Sequence, residues 1–150
     1  MRESNKAQIY HYFGSKEGLF DAVFAQIVDQ VVHEVPLDVT DLPGYAEQLA
    51  RGYDLHPDVM RLATWHSLER GDELLVQAAI DSNQAKVDKI AQAQAEGRLP
   101  NQYPAATLLA LVLHTAALWA GMPPELAAIA FLQDADSRAN AVRDAVRALL

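Results

Sequence analysis

Cysteine is absent from the 150 residues, which excludes disulfide bridges, thiolate zinc sites and cysteine nucleophiles. Glycine and proline are also few, at seven each, as in a globular chain and unlike a collagenous or disordered one. The chain does not open on a basic segment followed by an apolar core and a cleavage site. Its longest weakly charged run, 103–122, is interrupted by His114. We therefore expect a cytoplasmic protein without a membrane span.

Positive charge is scarce, because 12 lysines and arginines stand against 20 aspartates and glutamates and leave a net charge of −8. A surface of this sign repels nucleic acid and anionic lipid, so any contact with DNA must be local. Residues 1–20 differ from the rest: three cations against two anions give them a charge of +1, which leaves −9 for residues 21–150. The chain thus divides by charge into a short first segment and an acidic remainder.

No segment alternates with period two, whereas apolar residues recur at spacings of three and four, which predicts an all-α fold. The clearest case is a helix expected over about 15–34, with Ser15 as its N-cap and Pro36 beyond its end. Its apolar stripe consists of Leu19, Phe20, Val23, Phe24, Ile27, Val28, Val31 and Val32. Such a stripe must pack against other helices.

Cap and breaker residues divide the remaining sequence into further helices. Ser137 is expected to cap the last helix, over 137–150. Gly97, followed by Pro100, is expected to end the helix over 72–96, in which Ala85 and Ile90 are expected to face inward. The predicted ranges are 44–53, 57–70, 72–96, 104–120, 125–133 and 137–150.

Two helices near the end carry more apolar surface than a monomer easily covers. The helix over 104–120 has no charged residue apart from His114, and the helix over 137–150 has a broad apolar face. A helix that is apolar all round must be covered on more than one side. We expect the two helices to pair with their copies in a second chain and form a four-helix homodimer interface. The alternative is a larger bundle core within one chain.

The stretch 5–13, NKAQIYHYF, followed by 14–19, GSKEGL, resembles the end of the DNA-binding domain in the tetracycline-repressor (TetR) family of transcriptional regulators. In that family a helix-turn-helix ends in a short recognition helix, and a long helix then leads into a helical ligand-binding and dimerisation domain. The resemblance implies that 1–20 is an incomplete helix-turn-helix segment, with the recognition helix over about 5–13, and that 21–150 is the regulatory domain. The implied function is that of a repressor that a small molecule releases from DNA.

The residue types in this segment suit a helix in the major groove. Gln8 can pair bidentately with adenine and Lys6 can donate to guanine, while tyrosine hydroxyls and a helix N-terminus can contact phosphates. Lys16 matches the family's usual phosphate contact. The residues assigned to DNA binding are Asn5, Lys6, Gln8, Tyr10, His11, Tyr12 and Lys16.

Only four residues precede this recognition helix, whereas the family places two more helices there. Ile9 and Phe13 would lose the partners they pack against, and a nine-residue helix does not persist alone in water. We therefore expect a regulator truncated before the recognition helix, which binds operator DNA weakly or not at all. A module that binds ligand or a partner chain without DNA is the alternative function.

The resemblance also implies a small-molecule pocket in the regulatory domain. Its candidate lining residues are Tyr53, Met60, Trp65, His66, His114, Trp119 and Met122, although aromatic and methionine side chains in helices are more often plain core. His66 and Glu69 have a spacing that suits a pair of metal ligands, but no second pair accompanies them, so no metal or cofactor is predicted. No nucleophile elbow, phosphate loop or zinc-protease motif occurs, and a small helical enzyme is the least favoured function.

Overall fold

The computed structural model describes residues 14–15, 18–23, 26–27, 35–70, 77–129 and 134–150. In these ranges the regular structure is helical and no strand occurs, so the predicted all-α fold is confirmed. In the described residues from 35 onward, the helices are α1 (Leu42–Leu55), α2 (Pro57–Arg70), α3 (Gln77–Ala95), α4 (Ala105–Ala116), α5 (Pro124–Ala127) and α6 (Ala135–Arg147).

Residues 18–23 and 26–27 are also helical and belong to the helix predicted over 15–34, which we name the Ser15 helix. The Ser15 hydroxyl accepts a hydrogen bond from the Gly18 amide at 3.0 Å, and its carbonyl accepts one from Leu19 at 3.1 Å. Gly14 precedes the cap at a φ of 73°, a conformation that glycine adopts without strain. The predicted N-cap is therefore confirmed.

The starts of two helices differ from the prediction because an aspartate three residues upstream provides the cap. Asp41 accepts from the Gly44 amide at 2.9 Å and begins α1 before residue 44. Asp134 likewise accepts from the backbone amide of Ser137 at 2.8 Å and from its hydroxyl at 2.6 Å. Ser137 is thus a donor inside the first turn of α6, and its assignment as N-cap was wrong.

The predicted end of α3 is confirmed, whereas the predicted end of α4 is not. Gly97, at a φ of 70°, ends α3 as predicted, and the Arg98 amide bonds back to the Ala93 carbonyl at 2.8 Å. In contrast, α4 ends at Ala116, ahead of the predicted 120, and residues 117–121 continue as hydrogen-bonded turns. The helix predicted over 125–133 is regular only in the four residues of α5; residues 130–133 lie outside the described ranges.

The core lies where α1 packs on α6, with α4 against both and α3 against α4. Fifteen apolar side chains of the described residues are buried, and Tyr45, Leu108, Val112 and Val142 are among the largest of those almost completely enclosed. Full burial of such a side chain contributes about 1.5–3 kcal/mol. Apolar packing among these four helices holds the bundle together.

Ion pairs align α1 with α6 along the edge of this core. The Glu47 carboxylate accepts from Arg51 and from Arg143, each at 3.0 Å, and Asp54 accepts from Arg138 at 3.0 Å. Because these pairs are partly exposed, each contributes at most about 1 kcal/mol. Their effect is to set the register of the two helices, while the apolar contacts supply most of the stability.

Candidate functional site

An open cleft of about 530 Å³ lies along α2 and is lined by Asp58, Arg61, Leu62 and Trp65. These positions follow the i, i+3, i+4, i+7 spacing, which places them on one face of a helix. Of these described side chains, two are apolar and two are charged. The volume is in the range of small-molecule sites, which is roughly 300–1,000 Å³.

Trp65 lies at the end of this row and connects the cleft to the Ser15 helix. Its ring and that of Phe20 have centroids 4.3 Å apart and an interplanar angle of 71°. Such an edge-to-face pair contributes about 0.5–1.5 kcal/mol beyond burial. Trp65 nevertheless remains 43% exposed, so part of the indole is accessible to a ligand while Phe20 supports another part.

The two charged residues of the cleft interact only weakly with each other. The Arg61 guanidinium and the Asp58 carboxylate are 3.9 Å apart, and their side chains are 84% and 85% exposed. An exposed pair at this distance contributes little to stability. Asp58 also lies in the first turn of α2, where a negative charge interacts favourably with the helix dipole.

Two tyrosines of α1 lie on its inner side. Tyr45 is only 2% exposed, and its hydroxyl has no hydrogen-bond partner among the described residues. Burial, with a smaller contribution from Tyr53, raises the pKa of Tyr45 to about 12. Burial also raises the pKa of Tyr53, which packs at the margin of the core.

Lys86 is a residue that the sequence reasoning missed. It lies one turn before the fully buried Ile90 and two turns before Ala93 on α3, so the three positions share one helix face. Lys86 itself is half-buried, and desolvation lowers the pKa of its ammonium group. Ala85, which was predicted to face inward, is exposed, because it lies on the opposite side of α3 from Ile90. A cation on an otherwise apolar face was the available signal.

The residues predicted to line a pocket lie in several separate parts of the described structure. Trp65 lines the cleft, and His114 is exposed with its Nδ1 2.8 Å from the Ala110 carbonyl oxygen. Trp119 is half-buried and donates its indole N–H to the Arg138 carbonyl at 3.2 Å. Tyr53, Met60 and Met122 are half-buried, and the side chain of His66 lies outside the described residues. A single pocket lined by all seven stays a prediction.

The residues assigned to DNA, namely Asn5, Lys6, Gln8, Tyr10, His11, Tyr12 and Lys16, all lie outside the described ranges. Their roles therefore stay predictions, as do the boundary between 1–20 and 21–150 and the truncation. The described part of the chain contributes one fact about the segment: the Ser15 cap and Gly14 mark a sharp start of the helix that follows it.

One face of α4 is exposed among the residues that the structure describes. Leu108, Leu109, Val112 and Ala116 are buried on one side of this helix, while Ala106, Ala110 and His114 are exposed on the other and Leu118 beyond its end is 48% exposed. On α6, Val142 and Val146 are buried in their own chain, which leaves Ala145 exposed. The apolar face predicted for the last helix is thus partly used within the bundle.

The described residues contain neither a metal-binding cluster nor a membrane-spanning helix. No cluster of three or more histidine, aspartate or glutamate side chains in these ranges has the arrangement of a metal site. No helix among these residues is both long enough and apolar enough to cross a bilayer.

Comparisons with known proteins agree with this architecture. Residues 41–148 match the family model described as tetracyclin repressor-like, C-terminal domain. The chain is 30% identical over 146 residues to the HTH-type transcriptional repressor SCO4008 of Streptomyces coelicolor, an alignment that covers 96% of this chain and 75% of that protein. It also superposes with a TM-score of 0.86 and 33% identity on the crystal structure of SCO4942 from the same organism, which is described as a transcriptional regulator, over 97% of this chain and 80% of that one.

Proposed function

The chain belongs to the TetR family of transcriptional regulators, and from that premise we propose that it is a homodimeric repressor that leaves its operator when a small effector binds. Its relatives are transcriptional regulators and not enzymes, and regulators of this family act as DNA-binding dimers. We further propose that it acts in the cytoplasm, where its operator would be found. The observation that best supports effector control is the contact of Phe20 with Trp65 beside the cleft.

The contact between Phe20 and Trp65 connects the two events that such a repressor must couple, which are binding of the effector and release from DNA. Phe20 belongs to the Ser15 helix, which directly follows the predicted recognition helix, and Trp65 belongs to the helix that lines the cleft. A ligand can shift the protein between a DNA-bound and a released arrangement only by its difference in affinity for the two. A ligand on Trp65 touches the group on which Phe20 rests, so its binding can favour one position of the Ser15 helix.

On the DNA side, the proposal applies to a protein in which the two preceding helices of the DNA-binding domain are present, and it divides the predicted contacts into two groups. Gln8 and His11 read base edges in the major groove, whereas Lys16 neutralises a phosphate. Exchange of the first two residues should change which operator is preferred. Lys16→Ala should weaken binding to all sequences and reduce the dependence on salt by about one phosphate contact.

A gel-shift titration over several salt concentrations, with the operator and a scrambled duplex, separates these effects. Equal loss on both duplexes for the Gln8 and His11 variants would show that these residues do not read bases. If Lys16→Ala changed neither the affinity nor the salt slope, the phosphate assignment would be wrong. Circular dichroism of each variant provides the control for folding.

For the dimer, we propose an interface formed by the helices predicted over 104–120 and 137–150. The exposed face of α4, which contains Ala106 and Ala110, offers a close approach between helices, and Leu118 adds an apolar side chain next to it. Burial of this face against its copy would remove apolar surface from water. In this arrangement the two recognition helices would reach half-sites one turn of DNA apart, roughly 34 Å.

Leu118→Glu tests the interface, since a charge at this position must be desolvated when the dimer forms. We expect sedimentation equilibrium to show at least a tenfold weaker dimer, with the helical signal retained. Leu68→Glu is the matched control, because Leu68 is 80% exposed on α2. An equal effect of the two substitutions, or no effect of Leu118→Glu, would place the interface elsewhere.

A further inference from the structure

The order of groups along the cleft indicates the chemistry of its ligand. Asp58, Arg61 and Trp65 follow one another along α2, and a helix rises 1.5 Å per residue. Arg61 is therefore about 6 Å along the axis from Trp65, and Asp58 about 10 Å. A small ligand whose apolar part packs on Leu62 and Trp65 therefore places its polar end next to Arg61. Only a longer ligand extends as far as Asp58.

The two charged groups also differ in how well they are already stabilised. Asp58 interacts with the N-terminal dipole of α2. The Asp58 carboxylate is 3.9 Å from the Arg61 guanidinium, which is a long distance for an ion pair, and both side chains are largely in water. Guanidinium N–H groups form their strongest hydrogen bonds in the bidentate arrangement that a carboxylate provides. A ligand carboxylate is therefore a better partner for Arg61 than the exposed Asp58 is.

We propose that the α2 cleft binds a small apolar carboxylate, with Leu62 and Trp65 against its hydrocarbon body and Arg61 on its anionic end. As the site of the effector, this assignment rests on the proposed function. The opposite reading, a lipophilic cation held by Asp58 and the indole face, requires the ligand to extend past Arg61 and is less favourable for that reason.

Three probes with one hydrocarbon body and different charge test the assignment by isothermal titration calorimetry on the full chain. They are 4-tert-butylbenzoate, 4-tert-butylbenzyl alcohol and 4-tert-butylbenzylammonium. We expect the carboxylate to bind at least tenfold more tightly than the other two. Arg61→Gln should weaken the carboxylate about tenfold and leave the alcohol unchanged, whereas Asp58→Asn should leave the carboxylate equal or tighter.

Arg98→Gln is the matched control for the change in charge, since Arg98 is an exposed arginine paired with Glu96 in the turn after α3. It should not alter the affinity for any probe. The position of the bound probe is tested separately by tryptophan fluorescence, because the chain has only two tryptophans. The change in emission on addition of the carboxylate should vanish in Trp65→Phe and persist in Trp119→Phe.

Three results would overturn the proposal. One is binding of the ammonium probe in preference to the carboxylate, with loss in Asp58→Asn. Another is an affinity for the carboxylate that Arg61→Gln and Arg98→Gln lower equally. The third is that none of the probes binds at millimolar concentration. None of these measurements uses DNA, so their failure leaves the proposed repressor function intact, and a failure to bind an operator leaves the ligand assignment intact.

Discussion

The buried hydroxyl of Tyr45 gives a sharp test of the core, because Tyr45→Phe removes one oxygen and little else. The side chain is 2% exposed and its hydroxyl lacks a hydrogen-bond partner in the described structure. Burial of an unpaired hydroxyl costs about 1–3 kcal/mol. At pH 7 we therefore expect Tyr45→Phe to be at least as stable as the wild type and up to about 1 kcal/mol more stable.

The same residue should make the stability depend on alkaline pH. The pKa of Tyr45 is raised from 10.0 to about 12 in the folded protein, so the unfolded chain loses its phenolic proton first. Between pH 10 and 12 the folded state binds more protons, and its stability must fall as the pH rises. The largest loss from this group is roughly 2–3 kcal/mol, since one pKa unit corresponds to about 1.4 kcal/mol.

Urea denaturation at fixed protein concentration, followed by circular dichroism at pH 7, 10 and 11, measures both effects. The stability of Tyr45→Phe relative to the wild type should grow with pH by at most about 1.4 kcal/mol per unit. Tyr53→Phe is a useful companion, because Tyr53 also has a raised pKa. If Tyr45→Phe were more than about 1 kcal/mol less stable than the wild type at pH 7, the Tyr45 hydroxyl would have a hydrogen-bond partner, contrary to this prediction.

Three further predictions concern the helices of the bundle. Asp41→Ala should lower the stability by about 0.5–2 kcal/mol through loss of the α1 cap, and Gly44→Ala should also lower it, because its Cβ would lie 2.2 Å from the Asp41 carboxylate. In the Asp41→Ala background, Gly44→Ala should instead stabilise the protein. Additive losses of stability in urea denaturation would show that the two positions are not coupled. Lys86→Met should be neutral or stabilising at pH 7, with an advantage that shrinks as pH rises because the folded-state pKa of Lys86 is lowered; the exposed Lys89→Met is its control, and a loss of stability specific to Lys86→Met would indicate a buried ionic partner. Leu108→Ala should cost about 2–5 kcal/mol by leaving a cavity, and thermal denaturation with an unchanged melting temperature would contradict its place in the core.

Sequence features that act within one helical turn predicted several of the helix boundaries. Ser15, Pro57 and Gly97 act through their own backbone or a neighbouring turn, and each marks a helix boundary where expected. The caps by Asp41 and Asp134 were harder to predict, because several candidate cap residues stand close together and only the three-dimensional turn selects between them. Signals of this local kind locate a helix to within a few residues.

Features that depend on packing between helices could not be obtained in this way. Ala85 lies on the side of α3 opposite Ile90 and is exposed, while the packing of α3 on α4 leaves Lys86 half-buried. Trp65 was identified as a site candidate, but its contact with Phe20 links residues 45 positions apart. Asp58 and Arg61 were missed because charged residues on a helix usually face solvent, and only the cleft distinguishes them.

The proposed regulatory role of the bundle requires that it controls sequence-specific DNA binding. The most direct measurement is affinity capture of genomic fragments by the protein purified from the cells that make it, followed by sequencing. We expect strong enrichment of a few sites that share a two-fold symmetric sequence, with half-sites about one helical turn apart. Capture that follows fragment length alone, with a folded dimer and at low salt, would contradict it.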